Sequence, residues 1–165
     1  MQLTSKISLS SFNRNLKALL PDIRKEFLKR ISRALPSLIK KSILSGISPV
    51  GGQGRFEKYS PSYLKAIKSG YVGHGKTPRP VNLKVTGDLL KAINGRVKKD
   101  RLEIYLKHEL AIIHNSKGAG KSKVLRRILP TEKGEKFSTA LMSYLKKEVI
   151  KAAKKVISRR FPKRH

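Results

Sequence analysis

The sequence predicts an α+β fold, in which long amphipathic helices at the two ends pack on a small antiparallel β-sheet with long loops. Three observations predict this class. Apolar side chains recur at spacings of three to five through residues 1–46. They recur again at spacings of three and four over residues 135–157. Between these segments, residues 102–107 alternate apolar and polar side chains, as a half-buried strand does.

The N-terminal segment, residues 1–46, is predicted to form two or three helical pieces. Its apolar side chains make one stripe, and lysine and arginine occupy the opposite face. Pro21 and Pro36 lie within this stripe, and a proline removes a helical N–H group and clashes with the preceding turn. We therefore expect the prolines to start, kink or break helices, and the last piece to end at Gly46.

The middle segment, residues 47–131, is predicted to hold loops, short helices and a β-hairpin. Two of its loops are longer than a simple connection requires, which is typical of functional loops. The expected elements, in chain order, are a loop over 47–60, a helix over 61–69, a loop over 70–83, a short helix after Thr86, a hairpin turning at 99–101, a strand or short helix over 109–114, a glycine loop over 115–123 and a candidate strand over 124–129.

The C-terminal segment is predicted to be one amphipathic helix within residues 132–158, followed by a basic tail over 159–165. The pattern contains no internal repeat and no composition shift of the kind that separates domains. We therefore interpret residues 1–165 as a single α+β domain.

The composition is strongly basic, with 39 Lys and Arg against 10 Asp and Glu and a net charge of +29. The excess is +8 in residues 1–46, +13 in 47–131 and +8 in 132–165, so it is not confined to a tail. Such a charge favours a polyanionic partner, most commonly a phosphate backbone. The absence of cysteine excludes disulfides, thiolate metal sites and a cysteine nucleophile. No apolar run has the length of a signal peptide or a membrane span, so no membrane contact is expected.

The basic residues expected to contact nucleic acid or a partner protein fall in a loop with its following strand and in the C-terminal tail. Aromatic residues make up only 6% of the chain and tryptophan is absent, so stacking on bases is poorly supported. Contact with double-stranded DNA through its phosphates fits better than base recognition. The candidates are Lys117, Lys121, Lys123, Arg126, Arg127, Arg159, Arg160, Lys163 and Arg164.

One segment imitates a nucleotide-binding loop, because residues 70–77 satisfy G-x-x-x-x-G-K-S/T. That motif works between a strand and a helix N-terminus, whereas here a short helix precedes it and Pro78 and Pro80 follow it. Paired carboxylates and histidine clusters are also lacking in the sequence pattern. We therefore expect no enzymatic activity, no cofactor and no metal site.

The order of several short motifs is similar to that of a known family. They are Tyr59-Ser60-Pro61-Ser62-Tyr63, the run from Val81 to Ile93 with Thr86-Gly87-Asp88-Leu89 inside it, a hairpin, His114-Asn115 with a glycine loop, Arg127-Ile128-Leu129-Pro130-Thr131 and a closing helix. Over about residues 47–155 the chain resembles the tail-completion and head–tail connector (neck) proteins of tailed bacteriophages. Where that family usually has arginine-proline-phenylalanine, this chain has Arg127-Ile128-Leu129-Pro130.

The resemblance implies a structural virion protein without an active site, working as tail-completion, neck or tail-terminator protein. It implies a homo-oligomer, a hexameric or related ring, that contacts portal or adaptor and tail proteins while DNA passes through its channel. The protein would be assembled in the host cytoplasm and remain in the neck or tail of the virion. Loop glycines would order against neighbouring subunits, namely Gly51, Gly52, Gly54, Gly73 and Gly75.

Two other interpretations remain open at the level of sequence. The first is a nucleic-acid-binding protein without sequence specificity, of the architectural or ribosome-associated kind, which the charge alone would support. The second is a nucleotide hydrolase, which depends on residues 70–77 alone.

Overall fold

The computed structural model describes residues 9–72, 76–84 and 86–162, and it confirms the α+β fold with a long helix at each end. The elements, in chain order, are α1 (Leu9–Leu44), α2 (Pro61–Lys68), α3 (Asp88–Lys91), β1 (Ile93–Lys98), β2 (Arg101–Leu106), α4 (Glu109–Ile112), a π-helical turn (Ile113–Lys117) and α5 (Thr139–Arg160).

Helix α1 is a single helix of 36 residues, about 54 Å long, so the prediction of two or three pieces is wrong. Both Pro21 and Pro36 lie inside it. The apolar stripe stays in register across both prolines, and burial of that stripe outweighs the local cost of each. Pro36 itself is buried. The helix ends at Leu44, and Gly46 then adopts a positive φ of 74°, close to the predicted boundary.

Helix α5 lies antiparallel to α1, and three ion pairs mark the register. Arg160 donates to Asp22 at 2.8 Å, Lys155 donates to Glu26 at 2.6 Å, and Arg30 donates to Glu148 at 2.7 Å. The helix begins at Thr139, later than the sequence predicts, because residues 136–138 instead bond to the backbone of residues 49–51. It runs on to Arg160, so the first two residues of the predicted tail belong to its last turn.

The sheet is a two-stranded antiparallel hairpin, in which Ile93 pairs with Leu106 and Lys98 with Arg101. Residues 99–100 form the turn, and the hairpin lies directly on α1. A Cβ atom on Gly95 would lie 3.0 Å from the Ser32 carbonyl oxygen, so glycine permits this close approach. Residues 109–114, left open between strand and helix, are helical.

The core joins these elements around four isoleucines that are fully or almost fully buried: Ile39, Ile43, Ile93 and Ile128. They come from α1, from β1 and from the irregular segment before Pro130, and Leu141 of α5 closes the same cluster. Because Ile128 belongs to this core, the backbone next to it is held firmly in place, which matters for the site described below.

Candidate functional site

The segment around Ile128 is positioned by one buried side chain, Asn115. The π-helical turn places Asn115 in the interior with only 4% of its surface exposed. Its Oδ1 accepts hydrogen bonds from the backbone N–H groups of Ile128 at 2.7 Å and Leu129 at 2.8 Å, and its Nδ2 donates to Thr131 Oγ1 at 3.0 Å. The strand predicted over 124–129 is absent: Asn115 satisfies the N–H groups of Ile128 and Leu129, and the Arg126 N–H donates to the His114 carbonyl.

A cavity of about 350 Å³ lies beside this segment. Helix α2 contributes one wall: it begins at Pro61 as predicted, with the Ser60 hydroxyl accepting from the Tyr63 N–H. The other walls come from the chain on both sides of α3, from α4 with the π-helical turn, and from the glycine loop. The residues used below are Tyr59, Tyr63, Lys76, Asn82, Leu83, Leu89, Leu110, His114 and Arg126.

Two cationic side chains lie in the wall of this cavity. Arg126 is 6% exposed, its guanidinium carbon lies 5.6 Å from the centre of the Tyr59 ring, and its Nη2 donates to the Glu57 carbonyl at 3.3 Å. Lys76 Nζ lies 5.0 Å from the same ring centre and donates to the backbone oxygen of Asn82 at 2.7 Å. Among the described residues, no carboxylate lines the cavity.

The electrostatics of the cavity follow from burial and from these two cations. Burial, reinforced by the charge of Arg126, lowers the pKa of Lys76 to about 8. Burial, with the charges of Arg126 and Lys76, lowers the pKa of His114 to about 4, so His114 is neutral at pH 7. Burial also lowers the pKa of Arg126 and raises the pKa of Tyr59. The cavity is thus a partly desolvated, positively charged site.

Two buried nitrogen atoms beside the cavity have no hydrogen-bond partner within the described ranges, Nε of Arg126 and Nδ1 of His114. Buried polar groups in folded proteins are nearly always paired, so unpaired ones mark a place where a partner is missing. The two belong to residues that already line the cavity.

Residues 70–77, which match a nucleotide-binding motif, do not lie between a strand and a helix N-terminus, as that motif requires. Lys76 and Thr77 lie in irregular chain that continues into a bend at residues 78–80 and do not begin a helix. Lys76 turns instead to Asn82, whose backbone oxygen and side-chain Oδ1 accept from it at 2.7 and 3.2 Å.

Arg126 and Arg127, both predicted among the surface contact residues, are buried. Arg127 forms ion pairs with Glu132 and, at 3.6 Å, with Glu135. Its carbonyl oxygen accepts from the Ser48 hydroxyl at 2.8 Å. Arg127 therefore holds three segments of the chain together. Its charge is visible in the sequence, but its pairing with Glu132 and Glu135 is not.

The remaining predicted contact residues lie on two separate elements. Lys117, Lys121 and Lys123 are exposed around the glycine loop. Arg159 and Arg160 are exposed at the end of α5, where they also approach Glu26 and Asp22 of α1. The other two tail residues, Lys163 and Arg164, lie outside the described residues.

The predicted assembly glycines also divide into groups. Gly51 packs within the chain, because its N–H donates to the Lys136 carbonyl at 2.8 Å. Gly52 and Gly54 form an exposed tip at which an added Cβ would meet nothing within 4 Å. Gly73 and Gly75 lie outside the described residues.

The outer face of α5 carries a surface that the sequence reasoning missed. Ile150, Ile157 and Phe161 recur at i, i+7 and i+11, and their side chains are exposed. We call these three residues the α5 apolar stripe. The helical spacing of these three residues is visible in the sequence, next to the apolar residues that face the core. Val149, which the spacing of three and four over residues 135–157 predicts to face the core, is also exposed.

The acidic residues are used almost entirely within the chain. Eight of the ten acids form ion pairs with basic side chains. Glu26 and Glu148 are buried between α1 and α5. The surface offered to other molecules is therefore dominated by unpaired positive charge. The eight acids are Asp22, Glu26, Asp88, Asp100, Glu103, Glu132, Glu135 and Glu148.

Comparison of the sequence with protein-family models, with curated proteins and with solved structures finds no match. No helix within the described ranges is long and apolar enough to cross a membrane. In the same residues, no group of three or more His, Asp or Glu side chains could hold a metal ion.

Proposed function

We propose that this chain is a structural virion protein of a tailed phage, which forms a homo-oligomeric ring around the DNA channel at the head–tail junction. The observation that carries the proposal is the division of the surface, with acids paired inside the chain while cations and an apolar stripe stay exposed. Such a protein has one kind of surface for a polyanion and another for a neighbouring subunit. The order of motifs resembling neck and tail-completion proteins supports the same function.

The DNA contact depends on phosphates rather than on bases. Exposed lysines of the glycine loop supply positive charge without an acidic neighbour in an ion pair. The rings of Tyr59 and Tyr63 pack edge to face beside the cavity, with 5.0 Å between the ring centres. They therefore do not form a stacking platform for bases. A protein that reads only the backbone suits a channel through which any sequence must pass.

The ring depends on two different apolar surfaces on one subunit. The α5 apolar stripe is one of them. Ile112 and Leu125, both exposed near the π-helical turn, belong to another. A head-to-tail contact joins two unlike patches of identical chains, and it closes into a ring when the rotation between neighbours allows. In this proposal, the ring contacts portal or adaptor proteins and tail proteins.

The test is the oligomeric state of the purified chain, measured by light scattering after gel filtration and by negative-stain electron microscopy. Both are done at high salt and again with duplex DNA, because the charge opposes self-association. We expect rings for the native chain and dissociation for Ile157→Glu. Ser158→Glu, which adds the same charge at the next exposed position, is the matched control and should still form rings.

A native chain that stays monomeric under both conditions would contradict the ring. If that monomer binds RNA and DNA equally well, the second candidate applies, a nucleic-acid-binding protein of the architectural or ribosome-associated kind, which the net charge of +29 favours. Phosphate-led binding itself is tested by a salt titration. The logarithm of affinity should fall by about 0.9 per phosphate contact for each unit of log salt on duplex DNA.

A further inference from the structure

The cavity beside α2 differs in character from the exposed basic surface. Its two cations, Lys76 and Arg126, are partly or fully withdrawn from water and lie against the same tyrosine ring. Exposed lysines are stabilised by water, whereas cations withdrawn from it need a partner of opposite charge. Among the described residues no carboxylate lines the cavity or forms an ion pair with either cation, although the charge of Glu57 acts on Arg126 from outside the lining.

The chain has few acids left that could fill this role. Glu57 reaches Arg126 through its backbone carbonyl, and most other acids are engaged in ion pairs elsewhere. The neighbouring neutral group, His114, has an unpaired Nδ1 and would gain a proton if a second negative charge arrived. The residues therefore complement an anion of charge −2 better than one of charge −1.

The remaining walls define what such an anion would be attached to. Leu83, Leu89 and Leu110 line the cavity together with the ring of Tyr63. A volume of about 350 Å³ holds on the order of ten waters, which leaves room beyond a single oxyanion. Sites with an apolar body and a few convergent polar groups are typical of small organic ligands.

We propose that this cavity binds a phosphate monoester, with Arg126 and Lys76 holding the dianionic phosphate, His114 as an additional donor, and the leucine-lined side receiving the organic group. Two sources share this chemistry, a free small phosphate monoester and the terminal phosphate of a DNA strand. The proposal does not depend on ring formation, since every residue that carries it belongs to one chain.

The first test uses methyl phosphate and dimethyl phosphate as matched probes, because at neutral pH the former carries about two negative charges and the latter one. Binding is measured by calorimetry and by the NMR shifts of the His114 ring in the full chain. We expect saturable binding of methyl phosphate with a shift of the His114 signals, and weaker binding of dimethyl phosphate. Equal affinity for the two probes, or no shift at His114, would overturn the proposal.

Variants separate a built site from diffuse attraction. Lys76→Met should weaken methyl phosphate binding by about tenfold or more, as expected for loss of one charge-assisted hydrogen bond. Lys84→Met removes an exposed lysine a few residues away and should leave the affinity unchanged. Arg126→Lys keeps the charge but loses the planar fork, so it should weaken binding even when circular dichroism shows a native fold. Equal losses in Lys76→Met and Lys84→Met would contradict the site.

The source of the phosphate is distinguished by competition. A short duplex bearing a 5′-phosphate is compared with the same duplex ending in a 5′-hydroxyl, at salt high enough to suppress backbone contacts. Displacement of methyl phosphate by the phosphorylated duplex alone indicates a DNA end as the ligand. Displacement by neither duplex indicates a free monoester, and displacement by both equally would overturn a monoester-specific site.

Discussion

Replacing Asn115 with alanine should destabilise the fold, because this buried side chain holds the backbone of the segment around Ile128. The side chain satisfies two backbone N–H groups at once, those of Ile128 and Leu129, and both residues are buried. Alanine has no acceptor to offer, and the native core leaves these N–H groups no route to water. The change therefore acts on hydrogen bonding more than on packing volume.

The expected loss follows from the two groups left unpaired. Each buried donor without a partner costs about 1–3 kcal/mol, so the pair costs about 2–6 kcal/mol, and we expect a loss of about 4 kcal/mol. In urea, a slope of about 2 kcal/mol per molar converts this to a midpoint about 2 M lower. A loss of this size would be a large fraction of the stability of an ordinary domain.

The matched control is Thr131→Ala, which removes only the partner of Asn115 Nδ2 and leaves both backbone bonds in place. Thr131 is exposed, so water can replace it and the loss should stay within about 1 kcal/mol. Urea unfolding followed by circular dichroism measures both variants. Equal losses of unfolding free energy in Asn115→Ala and Thr131→Ala, or a loss below about 1 kcal/mol in Asn115→Ala, would contradict this role of the Asn115 side chain.

Three further predictions concern the loop, the cavity and the helix pair. Gly118→Ala should destabilise the fold strongly, since an added Cβ would clash with the backbone oxygen of Lys123. Gly120→Ala, also at positive φ but in open space, should cost about 1 kcal/mol, and equal thermal shifts in the two variants would contradict this. Lys76→Met removes a neighbouring charge and should raise the pKa of His114 above about 4, as followed by NMR titration; an unchanged or lower pKa would count against the described electrostatics. Hydrogen bonds from basic side chains lower the pKa of Glu148 below its ordinary 4.5. Its contribution to stability is therefore complete above pH 4.5 and falls as the pH drops through the lowered pKa. Glu148→Gln should make the free energy of unfolding less dependent on pH in this acid range, and an unchanged dependence would contradict the stabilising role of the Glu148 carboxylate.

The elements that the sequence predicted well are those whose pattern is local and periodic. The hairpin turning near residue 99, helix α2 behind its Ser60 cap and the two end helices all follow from spacing and capping chemistry. The continuity of α1 could not be predicted in this way. Proline carries a local cost at Pro21 and Pro36, and burial of apolar side chains between Leu19 and Ile43, a tertiary effect, exceeds it.

The residues of the candidate site also could not be predicted from local sequence patterns. Arg126 and Arg127 were grouped with surface lysines because a sequence gives charge but not burial. Whether an arginine forms an ion pair with an acid, as Arg127 does, or lies against a tyrosine ring without one, as Arg126 does, depends on contacts that its own position in the sequence does not reveal. The cavity itself could not be predicted, since its walls come from five separate stretches of sequence.

Because most acids form ion pairs within the chain, two copies of this chain repel each other as they approach. At physiological salt, electrostatic repulsion reaches about 8 Å, so under the proposed assembly the excess positive charge on two approaching copies opposes contact between their apolar surfaces. A counter-charge that enters between them removes this barrier. Association of the copies would then depend on the arrival of the polyanion more than on protein concentration. The relative orientation of the copies would be set by the short-range fit of apolar side chains, because repulsion between surfaces of like charge favours no direction of approach.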